Sequence, residues 1–348
     1  MSEPPETGDT TSSRVYARRG SIHRYLAICM AEVERLGGLP TPREAREMWG
    51  DIWLRETHHS TGIEGNTLTY SEVEALLREN QAVQPDQFND YLEVRGYVDA
   101  AQWVYTLALE PDDWTGEDLL SVTEVRHVHH AALAPVWEKF PHPDASEDER
   151  PGSFRRHDIQ PFPGGMQPPS WPEVPSLLST WIERVNAIPH EEGNVLELVG
   201  QCHAEFEHIH PFLDGNGRTG RLLLNLLLVR LRYPPAIIFK ERREMYLDAL
   251  RACDSGDAGP LGETIAKAVI GTLKLTVFPC IAGPGRYILL SILADEQFST
   301  DKLSRAARSH KLEAQRDEDG FWRSTPKFVD QYKASCRRKE KMITGEIL

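Results

Sequence analysis

The chain is poor in cysteine. Its 348 residues hold five, at positions 29, 202, 253, 280 and 336, an odd number with no C-x-x-C pair. That excludes a disulfide framework and a paired-thiolate zinc site, and it reads as reduced thiols, as in a cytoplasm. No run of about 18 apolar residues stands out, so no membrane span and no membrane partner are expected. Positive charge is also in deficit. The formal net charge is −14, which excludes wholesale coating of nucleic acid or of an anionic membrane, because both need positive surface. The start, MSEPPETGDTTSSR, lacks a basic stretch leading into an apolar one. It does not read as a signal peptide, and residues 1–20 are expected to form a disordered tail. No G-x-x-x-x-G-K-S/T phosphate loop and no internal repeat is found.

The mixture of 26% charged and 40% apolar residues is ordinary for a globular protein. The length allows roughly two domains. Ile22, Leu26, Cys29, Met30, Val33 and Leu36 recur at helical spacing and predict a helix over 22–36. The same periodicity predicts helices over 43–59 (opened by Thr41 or Pro42), 71–77, 88–109, 118–133, 173–185, 195–209, 217–231, 241–253 and 261–278. The proline- and acid-rich stretch PVWEKFPHPDASEDERPGSF reads as a loop. RRHDIQPFPGGMQPPS, broken by Gly-Gly and Pro-Pro, forms at most a hairpin. IAGPGR at 281–286 marks a boundary. The expected fold class is therefore all-α, with an N-terminal helical region (21–112), a core (113–280) and a C-terminal module (286–348).

That last module is the one basic part of the chain. Residues 301–348 carry twelve Lys and Arg against eight Asp and Glu, leaving the rest at −18. A short helix (301–308), two strands around Asp319-Gly320 and a helix from Pro326 give the outline of a small winged-helix-like module. DNA contact through Arg305, Arg308 or Arg323 is one reading, and a packing or dimer-contact appendage is the other.

The densest signal is HPFLDGNGRTGR, residues 210–221. Gly215-x-Gly217-x-x-Gly220 fits a dinucleotide fingerprint by letter, but that fingerprint follows a strand. Here Val195, Leu198, Val199, Cys202, Phe206 and Ile209 precede it at helix spacing. The segment therefore reads as helix, tight loop, helix. Pro211 ends the first helix near His210. Gly215 and Gly217 allow a positive-φ turn with unshielded amides. A second helix then points its N-terminus into the loop, as anion sites do. Arg218 and Arg221, three apart, suit phosphate oxygens. Asp214 beside them suits Mg²⁺ that bridges phosphates. His210 is placed to accept a proton from a hydroxyl, or simply to end a helix. The apolar run LLLNLLLV (222–229) is expected to be buried and to keep the loop rigid.

In these residues the sequence resembles the Fic family, whose signature is H-x-F-x-(D or E)-G-N-G-R-x-x-R. His210, Phe212, Asp214, Gly215, Asn216, Gly217, Arg218 and Arg221 fill every fixed position. The resemblance runs from about Trp53 to Leu275, through IEGNTLTYSEV (63–73), LRYPPAIIFKERREMY (231–246) and CDSGDAGPL (253–261). It implies a Fic-fold helical bundle with a β-hairpin flap, and transfer of AMP from ATP to a Ser, Thr or Tyr hydroxyl of a protein. His210 would be the base. Asp214 would hold Mg²⁺. Gly215, Asn216, Gly217, Arg218, Gly220 and Arg221 would bind the phosphates, with Arg221 at the γ-phosphate. Phe212 would be a core anchor.

A second stretch, Ser60-Thr61-Gly62-Ile63-Glu64-Gly65, resembles the family's self-inhibition motif S/T-x-x-x-E-G/N within a helix at about 51–66. It implies that Glu64 pairs with Arg221 and takes the γ-phosphate place, with Ser60 fixing the helix. Glu64 would also serve AMP removal in some relatives. Gly152 and Arg155 in PGSFRRHDI match the flap, which would pair with an extended target segment. At the nucleoside side Met245, Tyr246 and Asp254 stand where relatives have two tyrosines and an asparagine, so Tyr246 is expected to stack on the base. His203 reads as structural, and His127, His129 and His130 as a helix face. The implied partners are ATP with Mg²⁺, an unidentified protein target, the chain itself as a target, and a homodimer. Rival readings are another donor such as UTP, or a nucleotide-sensing DNA-binding regulator with an inactive core and DNA contact through residues 299–340.

Overall fold

The computed structural model describes residues 10–79, 87–109, 118–159, 166–189 and 195–343. The chain divides into two compact units, Met1–Leu26 with Thr41–Thr272, and Ala27–Pro40 with Leu273–Leu348. The boundary therefore falls at 272/273, ahead of the IAGPGR break, because the helical path runs on through 273–282 before the chain turns. The first helix, α1 (Thr10–Arg35), begins inside the expected tail, of which residues 1–9 lie outside the described residues.

In the first unit α2 (Arg46–Ile63) leads through Thr69 to α3 (Tyr70–Glu79). Thr69 caps α3: its N–H and hydroxyl donate to Glu72 at 2.8 and 2.7 Å, and its hydroxyl oxygen accepts the Glu72 N–H. Next come α4 (Phe88–Leu109) and α5 (Val122–Trp137). Ser121 and Glu124 form a capping box at the start of α5. The helix runs past its expected end at Leu133, through Pro135, to Trp137. Pro135 removes one ladder donor in the last turn, and the helix ends two residues later.

Then α6 (Val174–Asn186), α7 (Val195–Ile209), α8 (Asn216–Arg230), α9 (Arg243–Asp254) and α10 (Gly259–Thr272) complete the unit. Helix α4 packs against α2, α5 and α8, and α8 against α7. In α8 every residue from Arg218 to Val229 is buried. Glu124 reaches from the α5 cap to Arg230 of α8 at 2.6 Å, with both side chains almost fully buried. The loop between α7 and α8 is thus held by two rigid helices. Among the described residues of 151–159 and 166–170 no strand forms, so the expected hairpin is absent there; its tip, 160–165, lies outside the described residues.

In the second unit α11 (Phe278–Ala282) precedes β1 (Ile288–Leu289), α12 (Leu290–Leu293), α13 (Thr300–Arg308), β2 (Gln315–Arg316), β3 (Trp322–Ser324) and α14 (Pro326–Ile343). The strands form an antiparallel sheet in the order β1-β3-β2, around the buried residues Leu290, Phe298, Leu303, Ala306, Leu312 and Val329. The turn between β2 and β3 uses Gly320 at φ +81°. Arg323 corrects the expectation of a DNA contact. It is buried and bonded to Glu32, Asp317 and Asp319, which leaves none of its charge for phosphate.

One continuous helical path among the described residues, Gly259–Ala282, is long and apolar enough by length and composition to cross a membrane, contrary to the sequence expectation. Half of its apolar window is buried within the protein, and it carries a Glu263–Lys267 ion pair at 2.6 Å, as a core helix does. None of the five cysteines is joined in a disulfide.

Candidate active site

Helix α7 stops at Ile209 because Pro211 cannot continue it. His210 turns the chain with φ +48°, an uncommon conformation for a residue other than glycine. Its N–H still donates to Phe206 O at 3.0 Å, and its carbonyl accepts Arg155 Nε at 2.8 Å. The ring Nδ1 lies 3.1 Å from the Glu207 carbonyl. A carbonyl only accepts, so Nδ1 carries the proton and Nε2 is the basic nitrogen. Burial pushes the imidazole pKa down to about 4, with the Glu207 carbonyl opposing the shift, so the ring is neutral at pH 7.

The next residues lock the loop. Phe212 is fully buried and stacks on His129 with ring centroids 3.7 Å apart. His129 accepts the Gly152 N–H at Nδ1 (2.7 Å), so its Nε2–H donates to the Asp214 carbonyl at 2.9 Å. Burial lowers its pKa to about 4, which keeps this two-sided clamp neutral. Sequence reading treats the three histidines as a helix face and misses this one. A histidine on a helix whose partners lie 23 and 85 residues away leaves no local pattern to read.

Asn216 accepts the Phe212 N–H at 2.9 Å and donates back to the Phe212 carbonyl at 2.8 Å. Its side chain therefore closes the loop, which corrects its expected place on a phosphate. Gly220 is corrected too. It faces Phe206 and Glu207 of α7 instead of the loop, and a Cβ there would lie 2.2 Å from Glu207 Oε1.

Gly215 caps α8 at φ +74°, with no side-chain cap on the first-turn amides. An anion already sits at this end. Glu64 follows α2, and its Oε1 lies 2.7 Å from Arg221 Nη2. The approach needs Gly217, where a Cβ would lie 2.4 Å from that oxygen. Ser60 accepts from the same guanidinium, at its hydroxyl from Nε (2.7 Å) and at its carbonyl from Nη2 (3.0 Å). Burial alone would raise the Glu64 pKa, but Arg221 and then Arg218 hold it below the usual carboxylate range. Arg218 bridges Asp214 (3.4 Å) and Glu93 (3.3 Å). Asp214 remains half exposed.

Behind Arg221 lies Glu207. Burial pushes its pKa up to about 8, with Arg221 opposing and Glu64 adding to the shift, so this carboxyl is protonated at pH 7. Its Oε1 has no hydrogen-bond partner among the described residues. Two candidates at the nucleoside side part company. Tyr246 is buried and its hydroxyl meets His203 Nε2 at 2.6 Å, so it is a core residue and cannot stack on a base. His203, lowered to about 3 by burial and by Arg221, is structural, as its position on α7 suggests. Asp254, at the end of α9, and Met245 are exposed. Gly152, at φ +86°, and Arg155 sit at the base of the expected flap. Arg155 is buried and its guanidinium donates to the carbonyls of His210, His157 and Pro169, tying that segment to the end of α7.

Among the described residues no group of three or more His, Cys, Asp or Glu side chains is gathered to hold a metal. One half-exposed carboxylate, Asp214, beside a helix N-terminus that accepts an anion nevertheless fits Mg²⁺. That ion is commonly held by one or two carboxylates, with phosphate and water completing the octahedron.

Comparison with known proteins gives a consistent result. Residues 119–228 match the model of the Fic/DOC family. The chain is similar to the "Protein adenylyltransferase Fic" of Culex quinquefasciatus, 31% identical over 225 residues that cover 65% of this chain and 42% of that protein. The protein of the same name from Aedes aegypti is 30% identical over the same shares. The chain thus spans about two fifths of the length of the curated relatives it matches. Among solved structures, Fic-1 from C. elegans superposes with a TM-score of 0.60 at 22% identity, over 79% of each chain. A Fic domain containing signaling protein from Bacteroides thetaiotaomicron gives 0.60 at 22%, over 74% of this chain and 96% of that one. At these identities the structures speak for the fold alone.

Proposed function

Because this chain is a Fic-domain protein, we propose that it is a protein adenylyltransferase, moving AMP from ATP to a Ser, Thr or Tyr hydroxyl of a target protein, and that Glu64 restrains it. The observation that carries the reading is the Glu64 carboxylate seated on Arg221 over Gly217, at the open N-terminus of α8 in the loop that begins with a neutral histidine. An anion site of two guanidinium groups and uncapped amides next to a base is what a nucleotide triphosphate requires.

In this reading the triphosphate displaces Glu64. Arg221 then holds the γ-phosphate and Arg218 the β-phosphate. The amides opening α8 face the α-phosphate, where negative charge builds up as the bond changes. Asp214 would hold Mg²⁺, which supplies charge neutralisation on the phosphates when bound. His210 Nε2 takes the proton of the target hydroxyl. The freed oxygen forms a bond to the α-phosphorus, the bond to the α–β bridging oxygen breaks, and pyrophosphate leaves with the electron pair. The Glu207 carbonyl keeps His210 in the tautomer this step needs. Phe212, Asn216 and His129 keep the loop from moving.

With Glu64 on Arg221 the outer phosphate has no seat, so ATP binds without its α-phosphorus in line. Glu64 is also the residue proposed to orient water for AMP removal. The cytoplasm remains the proposed compartment. The unidentified target, the chain itself as a target and a homodimer stand as part of the same proposal. DNA contact would rest on Arg305 and Arg308, both exposed on α13, without Arg323.

The experiment is incubation with labelled nucleotide and Mg²⁺, run with all four nucleoside triphosphates. Weak self-labelling from ATP is expected, stronger in Glu64→Gly and absent in His210→Ala. No labelling of Glu64→Gly from any nucleotide, with itself or a lysate as target, would overturn the assignment.

A further inference from the structure

Two turns before Glu64 on α2 lies Glu56, which the family's motifs do not include. It is fully inside the protein, and its carboxylate gathers donors from two other helices. Tyr97 of α4 donates its hydroxyl at 3.0 Å, Tyr105 of α4 donates a second, and Asn225 of α8 donates Nδ2 at 2.7 Å. Asn225 is fixed in turn by the Ala236 N–H at 2.7 Å. Ser60, one turn further along, accepts Arg221 Nε at its hydroxyl and Nη2 at its carbonyl. Glu56, Ser60 and Glu64 stand at i, i+4 and i+8, on one face of the helix.

Glu64 itself is poorly placed to hold its own position. It lies just past the last residue of α2, its side chain is 38% exposed, and its bond to Arg221 reaches across from a helix end. Helix ends fray. The end of α2 is tied along its axis by Arg243 Nε on the Ile63 carbonyl at 2.9 Å. That bond does not fix how α2 is rotated, because a carbonyl accepts over a broad range of directions. A carboxylate that must meet three donors at once does fix it. Turning α2 would leave two tyrosine hydroxyls buried without this acceptor, and Asn225 with only its longer bond to the Ala236 carbonyl.

We propose that Glu56 is the positioning residue of the brake: clamped by Tyr97, Tyr105 and Asn225, it sets the rotation of α2 and so keeps Glu64 in register with Arg221. The proposal rests on the reading of Glu64 as a brake and adds where its strength is set. Glu56 touches neither nucleotide nor target.

The test compares labelled-ATP transfer by the full chain, Glu64→Gly, Glu56→Gln and the double variant, with amide hydrogen exchange of residues 57–65. Glutamine keeps the volume but opposes one donor with its own. Glu56→Gln is expected to raise transfer about fivefold or more and to speed exchange at 60–65, with 216–228 unchanged. The double variant should match Glu64→Gly within about twofold, since the anchor acts only through the brake. A merely structural role would instead lower transfer in both backgrounds, and that result overturns the proposal. So does unchanged transfer by Glu56→Gln while Glu64→Gly is activated. If Glu64→Gly itself fails to rise, the brake reading falls and this proposal with it. Tyr105→Phe, which removes one donor and keeps the ring, is expected to raise transfer about twofold and stands in if Glu56→Gln does not fold.

Discussion

Two arginines, one in each unit, are equally buried, yet their surroundings differ. Arg323 meets three carboxylates, Glu32, Asp317 and Asp319, and Glu32 is itself sealed in and also bonded to Arg35. Arg221 meets one ionised carboxylate, Glu64, delivered by a helix end and partly open to water, while the second acid nearby, Glu207, is held neutral. A guanidinium saturated by fixed acids is a staple. A guanidinium whose bonded carboxylate comes from a partly exposed helix end is, in the proposed reading, a seat with a removable occupant. The sequence shows two arginines among near neighbours of mixed charge, and only the partners separate their roles.

The largest test of this difference is to remove each guanidinium. Arg323→Met leaves the buried Glu32 with Arg35 as its remaining cation and strips Asp317 and Asp319 of their shared partner, and it is expected to cost about 2–3 kcal/mol of stability. Arg221→Met should cost less, about 1–2 kcal/mol, because Glu64 can turn to water. Chemical denaturation measures both, and equal costs would break the distinction.

Next in size, Glu64→Gly is expected to raise AMP transfer about tenfold, which corresponds to ~1.4 kcal/mol of restraint. A radiolabel time course at fixed ATP reads it directly. No acceleration would make Glu64 a structural partner like Glu32.

The pH profile of Glu64→Gly comes third. His210 is lowered from its ordinary value to about 4 by burial, so its basic nitrogen stays available as pH falls through 6.5 and is lost only near 4. Transfer should hold steady from pH 8 to 6, with the acid limb near 4. A limb at 6.5 would mean a solvent-exposed imidazole.

The smallest effect concerns the neutral acid behind Arg221. The Glu207 pKa is raised above its unfolded value, so its contribution is fully present below about 4.5 and is lost as pH climbs toward about 8. Glu207→Gln, which mimics the protonated form, should therefore gain thermal stability over the parent chain between pH 6 and 9, by about 1 kcal/mol. A constant difference across that range would show Glu207 to be ionised throughout.

Much of the molecule is legible in the sequence, and the reasons are physical. Helix periodicity places α4 and α7 at their observed bounds, because both have one apolar face against a core. The Pro211 and Gly215 signals mark the ends of α7 and α8, since backbone limits act locally. The DG turn at Asp319-Gly320 finds the β2–β3 hairpin for the same reason. The local rules misjudge side-chain direction. Asn216 and Tyr246 carry the right letters, yet their side chains point to Phe212 and to His203, and the backbone at Gly220 packs against α7. The clamp at His129 and the anchor at Glu56 join residues far apart in the chain, and no short-range pattern encodes them. The extent of α1 was hidden because polar residues 10–20 have no apolar stripe of their own.

In the proposed mechanism Glu64 and the outer phosphate share one seat on Arg221. The most direct measurement is the ratio of ATP to ADP affinity, with Mg²⁺, in the parent chain and in Glu64→Gly. The parent chain is expected to bind the two nucleotides about equally, since the third phosphate finds Arg221 taken. Glu64→Gly is expected to favour ATP by about tenfold. The same ratio in both proteins would contradict the account.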